Sequence, residues 1–359
     1  MIDPREINTR LSSYLGAPLE SLRVLASGWE TTIFEFALGA ASARFREIPA
    51  GPPLVLRFYQ GAQATSKGAR ESLTITRLSA AGFPVPRPYA FELDQSVLGA
   101  PFLVMERLDG GPLFVNHGFP EAFKTFSLGF PAFVRAQVRL HRMNPDDPGL
   151  RDIPRAYETG LTAPGTPMLD RALAIIADRV ERGPLPGLRD ALGRLAARAA
   201  LYKISKPSLL HLDYHPRNVV VRGMHLSGVI DWVNADVGDR HLDAAMTAAI
   251  LSSSALEHPR WMRDNLAGNS LRFSFASLYV PLYHAMYRLD FQRFRYCQAV
   301  AAMLRLSMMG MMRARGPESV GYRPEAMAEV TPAVMRLLSR YAERKSGAQV
   351  RVDLAAQPA

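Results

Sequence analysis

Two carboxylates and one amide in this chain are spaced for phosphoryl transfer. Asp213 and Asn218 lie in Leu210-His211-Leu212-Asp213-Tyr214-His215-Pro216-Arg217-Asn218, and Asp231 follows in Ile230-Asp231-Trp232. One carboxylate can orient a hydroxyl nucleophile, while an amide carbonyl and a second carboxylate hold Mg²⁺ on a nucleoside triphosphate. Mg²⁺ prefers oxygen ligands, and Asn218 and Asp231 supply two. Asp213 must stay off the metal so that it can accept a hydrogen bond from the acceptor alcohol. Pro216, between Asp213 and Asn218, bars a helix and favours a fixed turn.

The elements around these residues must bring them together. Val219-Val220-Val221 reads as a short buried strand, residues 222–225 as a turn, and residues 226–230 as the start of a returning strand. That hairpin would carry Asp231 back beside Asn218. A zinc reading of His211, Asp213 and His215 is weaker. Alternate residues share a face only in an extended strand, Pro216 argues against one, and no third ligand pair stands at zinc spacing. His211 reads as a structural residue packed beneath the loop.

The segment resembles the aminoglycoside phosphotransferase family, whose fold is protein-kinase-like. The family form is close to His-Gly-Asp-Leu-His-Pro-Gly-Asn followed by Ile-Asp-Trp; here Leu212 and Arg217 replace the two glycines. The resemblance implies that Asp213 is the catalytic base or orienter and that Asn218 and Asp231 are the Mg²⁺ ligands. It implies ATP or GTP as donor and a small-molecule hydroxyl, of antibiotic or metabolite, as acceptor. It also implies an α+β, two-lobed fold: a small antiparallel-sheet nucleotide lobe over residues 1–108, and a mainly helical catalytic and acceptor-binding lobe over residues 109–359.

The amino-terminal residues fit such a lobe. Residues 22–25 and 33–36 are strand-like, and Ser27-Gly28 lies in the turn between them, where backbone N–H groups can point at phosphate. An ordinary hairpin explains that turn equally well, and no Walker A sequence occurs anywhere. Leu54-Val55-Leu56-Arg57-Phe58-Tyr59 reads as a strand. By resemblance Arg57 stands where the family usually has a Lys that pairs with the α/β phosphates; the bland reading is a surface Arg on an edge strand. Residues 69–80 read as a helix with Glu71 in its first turn, placed to pair with Arg57 or simply to suit the helix dipole. The prolines of residues 84–88 force an extended connection. Residues 102–108 form another apolar strand, broken by Asp109-Gly110-Gly111-Pro112. By resemblance this is the hinge: main-chain groups of Glu106 and Leu108 hold the purine edge, and Met105 lines the base pocket.

Composition bounds the rest. The 359 residues are ample for two lobes, and 48% apolar with 21% charged residues excludes a disordered chain. The apolar run 273–287 contains Pro281 and His284 and is short of a bilayer span of about 20 residues, so no membrane role is expected. The amino terminus lacks a signal peptide's apolar core, and Cys297 is the only cysteine, which together point to the cytoplasm. The net charge of +10 suits nucleotide phosphates, but the arginines are scattered and no nucleic-acid recognition motif is present. Such a charge disfavours a polycationic acceptor unless carboxylates gather in the cleft. Asp236, Asp239, Asp243 and Glu257 are candidates, and helix caps or structural pairs are the alternative.

Helical periodicity predicts further helices over residues 131–143, 168–182, 187–201, 239–252, 271–290, 291–312 and 325–345. Met303, Met308, Met309, Met311 and Met312 read as core filler and a flexible apolar wall. His141 reads as buried structure. By resemblance the helix it ends packs beneath the catalytic loop, and Asp243 anchors that loop from behind. The tail from Ser346 is expected to fray. Beside the kinase reading stand a catalytically silent nucleotide-binding protein, left open by Arg57 and Arg217, and a nucleic-acid binder. Acceptor identity, ATP against GTP and oligomeric state are not legible.

Overall fold

The computed structural model describes residues 4–27, 31–113, 129–183, 185–204, 206–223, 225–253 and 266–352. Helix α1 (Pro4–Leu15) leads into an antiparallel sheet of β1 (Leu19–Ser27), β2 (Thr31–Leu38), β3 (Leu54–Tyr59), β4 (Pro88–Glu92) and β5 (Phe102–Glu106). Helix α2 (Ala64–Ala80) joins β3 to β4, and the short α3 (Gln95–Leu98) joins β4 to β5. The strand order is β1-β2-β3-β5-β4, so β3 is central rather than an edge strand.

The two-residue period sorts β3 between two cores. Leu54, Leu56 and Phe58 pack with Ile7, Leu11 and Phe102 beneath α1. Val55 and Tyr59 belong to the larger core that continues into the rest of the chain. Arg57 falls on that second face by the same alternation. All of β3 is buried, so its guanidinium must find carboxylates inside the protein.

Helix α2 begins five residues before the start expected from sequence, at Ala64. Gly68, which weakens a helix read in isolation, is there for contact: a Cβ on it would stand 2.9 Å from the Tyr59 ring. Glu71 therefore sits in the body of α2, and the helix-dipole explanation for it no longer applies.

The following part is mainly helical. Its short strands are β6 (Gly111–Pro112), β7 (Ser208–Leu210), β8 (Val219–Arg222), β9 (His225–Val229) and β10 (Asp236–Gly238). They form a three-stranded β6-β8-β9 sheet and a β7-β10 pair. The helices are α4 (Phe130–Arg142), α5 (Met168–Arg182), α6 (Arg189–Arg198), α7 (Arg240–Ser253), α8 (Leu266–Met286), α9 (Phe291–Arg315) and α10 (Pro332–Ser346). Helices α7 and α9 are buried on nearly every side, as their Ala and Met content allows.

Several boundaries differ from expectation. The helix expected over residues 325–345 divides into a 3₁₀ segment at Pro324–Glu329 and then α10, because Pro332 cannot continue a helix but suits its first position. Thr331 caps α10 by accepting the Val334 N–H at 3.3 Å. Residues 187–201 likewise resolve into 3₁₀ turns flanking α6. The expected fraying from Ser346 is corrected for residues 346–352, where Ala348 and Val350 are buried and the Arg351 N–H donates to the Gly187 carbonyl at 3.0 Å; residues 353–359 lie outside the described residues. No helix among the described residues is long and apolar enough to cross a membrane.

Candidate active site

The loop after β7 is closed by its own main chain. Pro216–Asn218 forms a 3₁₀ turn, with the Asn218 N–H donating to the His215 carbonyl at 2.9 Å. The Asn218 side-chain amide donates to the Asp213 carbonyl at 3.0 Å, which leaves its oxygen for the cleft. Strands β8 and β9 pair antiparallel with Val219 opposite Val229, and the Ile230 N–H donates to the Asn218 carbonyl at 2.9 Å. The pairing thus sets Asp231 beside Asn218.

His211 clips the two segments together. Its Nε2–H donates to the Ile230 carbonyl at 3.0 Å, and its Nδ1 accepts the Asp213 N–H at 3.3 Å. Burial lowers its pKa, which favours the neutral ring these two roles require. With both nitrogens on the main chain, His211 is not presented to a metal.

Helix α7 supports the loop from behind. The Leu212 N–H donates to Asp243 Oδ1 at 2.6 Å, while Asp243 Oδ2 lies 2.8 Å from His141 Nε2. His141 Nδ1 reaches the Tyr283 hydroxyl at 2.6 Å, and Gln137 Nε2 donates to Asp243 Oδ2 at 3.2 Å. Burial alone would raise the Asp243 pKa, but these partners hold it below the usual carboxylate range. Leu212 takes φ +60° and Asp231 φ +68°, the left-handed region that side chains disfavour. Leu212 therefore keeps a glycine's conformation without being glycine. Its buried side chain and its bond to Asp243 hold it there.

In front of the loop lies a cleft of about 880 Å³ between the sheet and the helices. Asp213, Asn218, Asp231, Arg57, Met105, Glu106 and Leu108 all line it. Asp213 Oδ2 is 3.7 Å from His215 Nε2, and its Oδ1 is 3.8 Å from Arg305 Nη1. Burial pushes its pKa up; the charges of His215 and Arg305 outweigh that and bring it to about 2. Asp213 is thus an ionised acceptor facing the cleft.

Arg57 sits between two carboxylates. Its Nε is 2.9 Å from Glu71 Oε2, and its Nη2 donates to Asp231 Oδ1 at 2.6 Å. Glu71 also accepts the Tyr59 hydroxyl at 2.7 Å and the Trp232 N–H at 3.1 Å. The expected strand–helix ion pair is present. The contact with Asp231 was not expected, and it ties the sheet directly to the second acidic segment.

A search with family models matches residues 22–279 to the model described as "Phosphotransferase enzyme family". The chain belongs to the phosphotransferase enzyme family. Its fold matches a putative aminoglycoside phosphotransferase from Ralstonia eutropha at TM-score 0.61 and 14% identity, over 97% of this chain and 100% of that one. It also matches a thermostable mutant of aminoglycoside phosphotransferase APH(4)-Ia, solved with ADP and hygromycin B, at TM-score 0.58 and 17% identity, over 92% of this chain and 98% of that one. A third match, APH(3'')-Id from Streptomyces rimosus, has TM-score 0.52 and 19% identity over 85% of this chain and 99% of that one. Among curated protein sequences none matches.

In this phosphotransferase the sequence-derived residues come together with two exceptions. Gly28 lies outside the described residues, and Ser27 is described only as the last residue of β1. The Glu106 N–H donates to the Arg87 carbonyl at 2.8 Å, so among the main-chain groups of Glu106 the N–H is not available to a base. The three described candidate cleft carboxylates prove structural. Asp236 is bound by both Arg171 nitrogens at 2.8 and 2.9 Å; Asp239 meets His241 at 2.7 Å and Arg293 at 3.2 Å; Asp243 holds the loop. Glu257 lies outside the described residues. Sequence reasoning missed Arg179 and Arg305, which line the cleft from α5 and α9. Each helix carries several arginines, so spacing alone did not single these two out.

Proposed function

We propose that this chain transfers the γ-phosphoryl group of ATP or GTP to a hydroxyl group of a small molecule. The observation that carries this reading is the clamped loop: Asn218 holds the Asp213 carbonyl at 3.0 Å, and Ile230 brings Asp231 alongside at 2.9 Å, all on one cleft. Asn218 and Asp231 fit Mg²⁺, since one amide and one carboxylate make the oxygen-only set that the ion accepts while keeping waters. When bound there, Mg²⁺ neutralises charge on the triphosphate. The neighbours solved with ADP and with AMP-PNP support a nucleotide donor.

The residues would act as follows. Residues 1–108 form the lobe that covers the nucleotide, and Ser27 and Gly28 are the residues assigned to its phosphates. Met105 and the Leu108 N–H face the base. Glu71 fixes Arg57, and Arg57 fixes Asp231. Asp213 accepts the hydrogen bond of the acceptor hydroxyl and aims its oxygen at the γ-phosphorus. The new P–O bond forms as the bond to the β-phosphate oxygen breaks, the nucleoside diphosphate leaves, and the hydroxyl proton passes late to Asp213. A carboxyl with a pKa of about 2 is a weak base, so orientation outweighs proton abstraction in this role.

The test is nucleotide consumption with a panel of alcohols, paired with calorimetry of nucleotide binding. Asp213→Asn should lower kcat by about 10²–10⁴-fold and leave nucleotide affinity near that of the wild type. Asp231→Ala should weaken Mg²⁺-nucleotide binding. Wild-type protein that binds nucleotide without turnover on any acceptor would favour the silent alternative, and full turnover by Asp213→Asn would exclude the assigned role.

A further inference from the structure

We propose that the acceptor of this phosphotransferase is an alcohol bearing an anionic group, a carboxylate or a phosphate, which Arg179 and Arg305 receive beside Asp213. This rests on the kinase reading for the word acceptor, but not for the presence of an anion site.

The protein shows how it treats a buried arginine that serves structure. Arg171 meets Asp236 through two nitrogens, and Arg57 lies between Glu71 and Asp231. Arg179 and Arg305 are treated differently. Arg179 donates to the Leu304 carbonyl at 3.0 Å, and no carboxylate lies within 4.0 Å of it among the described residues. Arg305, next along the chain from Leu304, has Asp213 as its nearest described carboxylate, at 3.8 Å, too far for a hydrogen bond. The Nε of Arg305 is buried without a hydrogen-bond partner. Arg305 thus approaches the carboxylate that faces the reacting hydroxyl, and Arg179, bonded to the residue before it, lines the same cleft.

Arginine cannot shed its charge to relieve this, and its fork of donors matches carboxylate and phosphate oxygens. Burial lowers the Arg179 pKa from its ordinary value, the mark of a cation short of counter-charge. Tyr157 lines the same part of the cleft, and burial pushes its pKa up to about 12, so it stays a neutral hydroxyl able to donate.

Among the described residues the other carboxylates of the cleft each have a basic or main-chain neighbour. Asp231 holds Arg57, Glu325 holds Arg323 at 3.0 Å, Glu329 lies 3.8 Å from Arg217, and Glu106 accepts the Arg87 N–H at 3.1 Å. A polycation would meet two arginines and displace existing pairs to find a carboxylate. An anion on the acceptor would complete both arginines and leave Asp213 to its hydroxyl.

The test fills the donor side with saturating AMP-PNP and Mg²⁺ and then titrates four small alcohols by calorimetry: glycerol, ethanolamine, D-glycerate and glycerol 3-phosphate. At least one anionic member should bind about tenfold or more tighter than both glycerol and ethanolamine. Arg179→Gln and Arg305→Gln should each remove about ten- to hundredfold of that affinity, the range of one charged hydrogen bond, with the AMP-PNP dissociation constant within about twofold. The unaltered protein decides the matter even if a variant folds poorly. Equal binding of the four, or preference for ethanolamine, overturns the proposal. So does a loss of AMP-PNP affinity without loss of the anion, which would assign the arginines to the donor's γ-phosphate. Failure of the kinase reading looks different: anion binding intact, with no nucleotide consumed when ATP or GTP replaces AMP-PNP.

Discussion

Leu212 offers a test of the loop's geometry that needs no substrate. It occupies φ +60° with its side chain 3% exposed, so two opposing energies meet at one residue. The left-handed backbone costs an L-residue about 1–2 kcal/mol. Truncating a buried Leu to Ala costs about 2–5 kcal/mol. Leu212→Ala keeps the backbone cost and loses the packing, so it should destabilise by about 2–5 kcal/mol. Leu212→Gly loses the same packing and regains the about 1–2 kcal/mol of backbone cost. It adds about 0.5–1 kcal/mol for glycine's greater unfolded freedom. The Gly variant should therefore be more stable than the Ala variant by up to about 1.5 kcal/mol, although less stable than wild type. At an ordinary buried position the order is reversed, with Gly worse than Ala by a similar amount. Urea unfolding of the three proteins at constant m-value measures the difference. If Leu212→Gly is the less stable of the two variants, the residue is not held left-handed and the account of the loop fails. If Leu212→Gly matches wild type, the packing argument fails instead.

Two further outcomes follow from the same site. Asp243→Ala should destabilise the fold by about 3–5 kcal/mol, because it leaves His141 and the Leu212 N–H buried without their acceptor; a loss under about 1 kcal/mol in thermal or urea unfolding would show the network to be dispensable. Asp213 has a folded pKa near 2, below its ordinary 3.8, so its contribution to stability is full above pH 3.8 and fades as pH falls through 2. The stability gap between wild type and Asp213→Asn should accordingly be flat from pH 5 to 7 and change by about 2–2.5 kcal/mol on full acidification; a gap that changes mainly between pH 5 and 7 would place the titration on another group.

The local chemistry of this chain is written locally. The Asp213, Asn218 and Asp231 spacing needs only a turn and a hairpin, and both are encoded by short-range signals: Pro216, the Val219–Val221 run and the Arg222-Gly223 turn. The burial of His211 and His141 was legible for the same reason, since a histidine on an apolar face has few other places to go. The pair of Arg57 with Glu71 was expected from the family resemblance, and the two side chains meet at 2.9 Å.

What required the tertiary structure was every property that depends on which distant side chain arrives opposite. Arg57 reaches Asp231 across 174 positions of sequence, and no spacing rule relates them. Asp236 and Asp239 looked available to a ligand until Arg171 and Arg293 came in from α5 and α9 to neutralise them. Arg179 and Arg305 carried no signal in the sequence, and only the packing of α5 and α9 brought both to the cleft, with Arg305 3.8 Å from Asp213. Backbone preference and short-range hydrogen bonds act over a few residues, so the sequence alone determined that Asp213, Asn218 and Asp231 would meet on one loop and hairpin. Charge acts through space, so only the fold could settle what surrounds them.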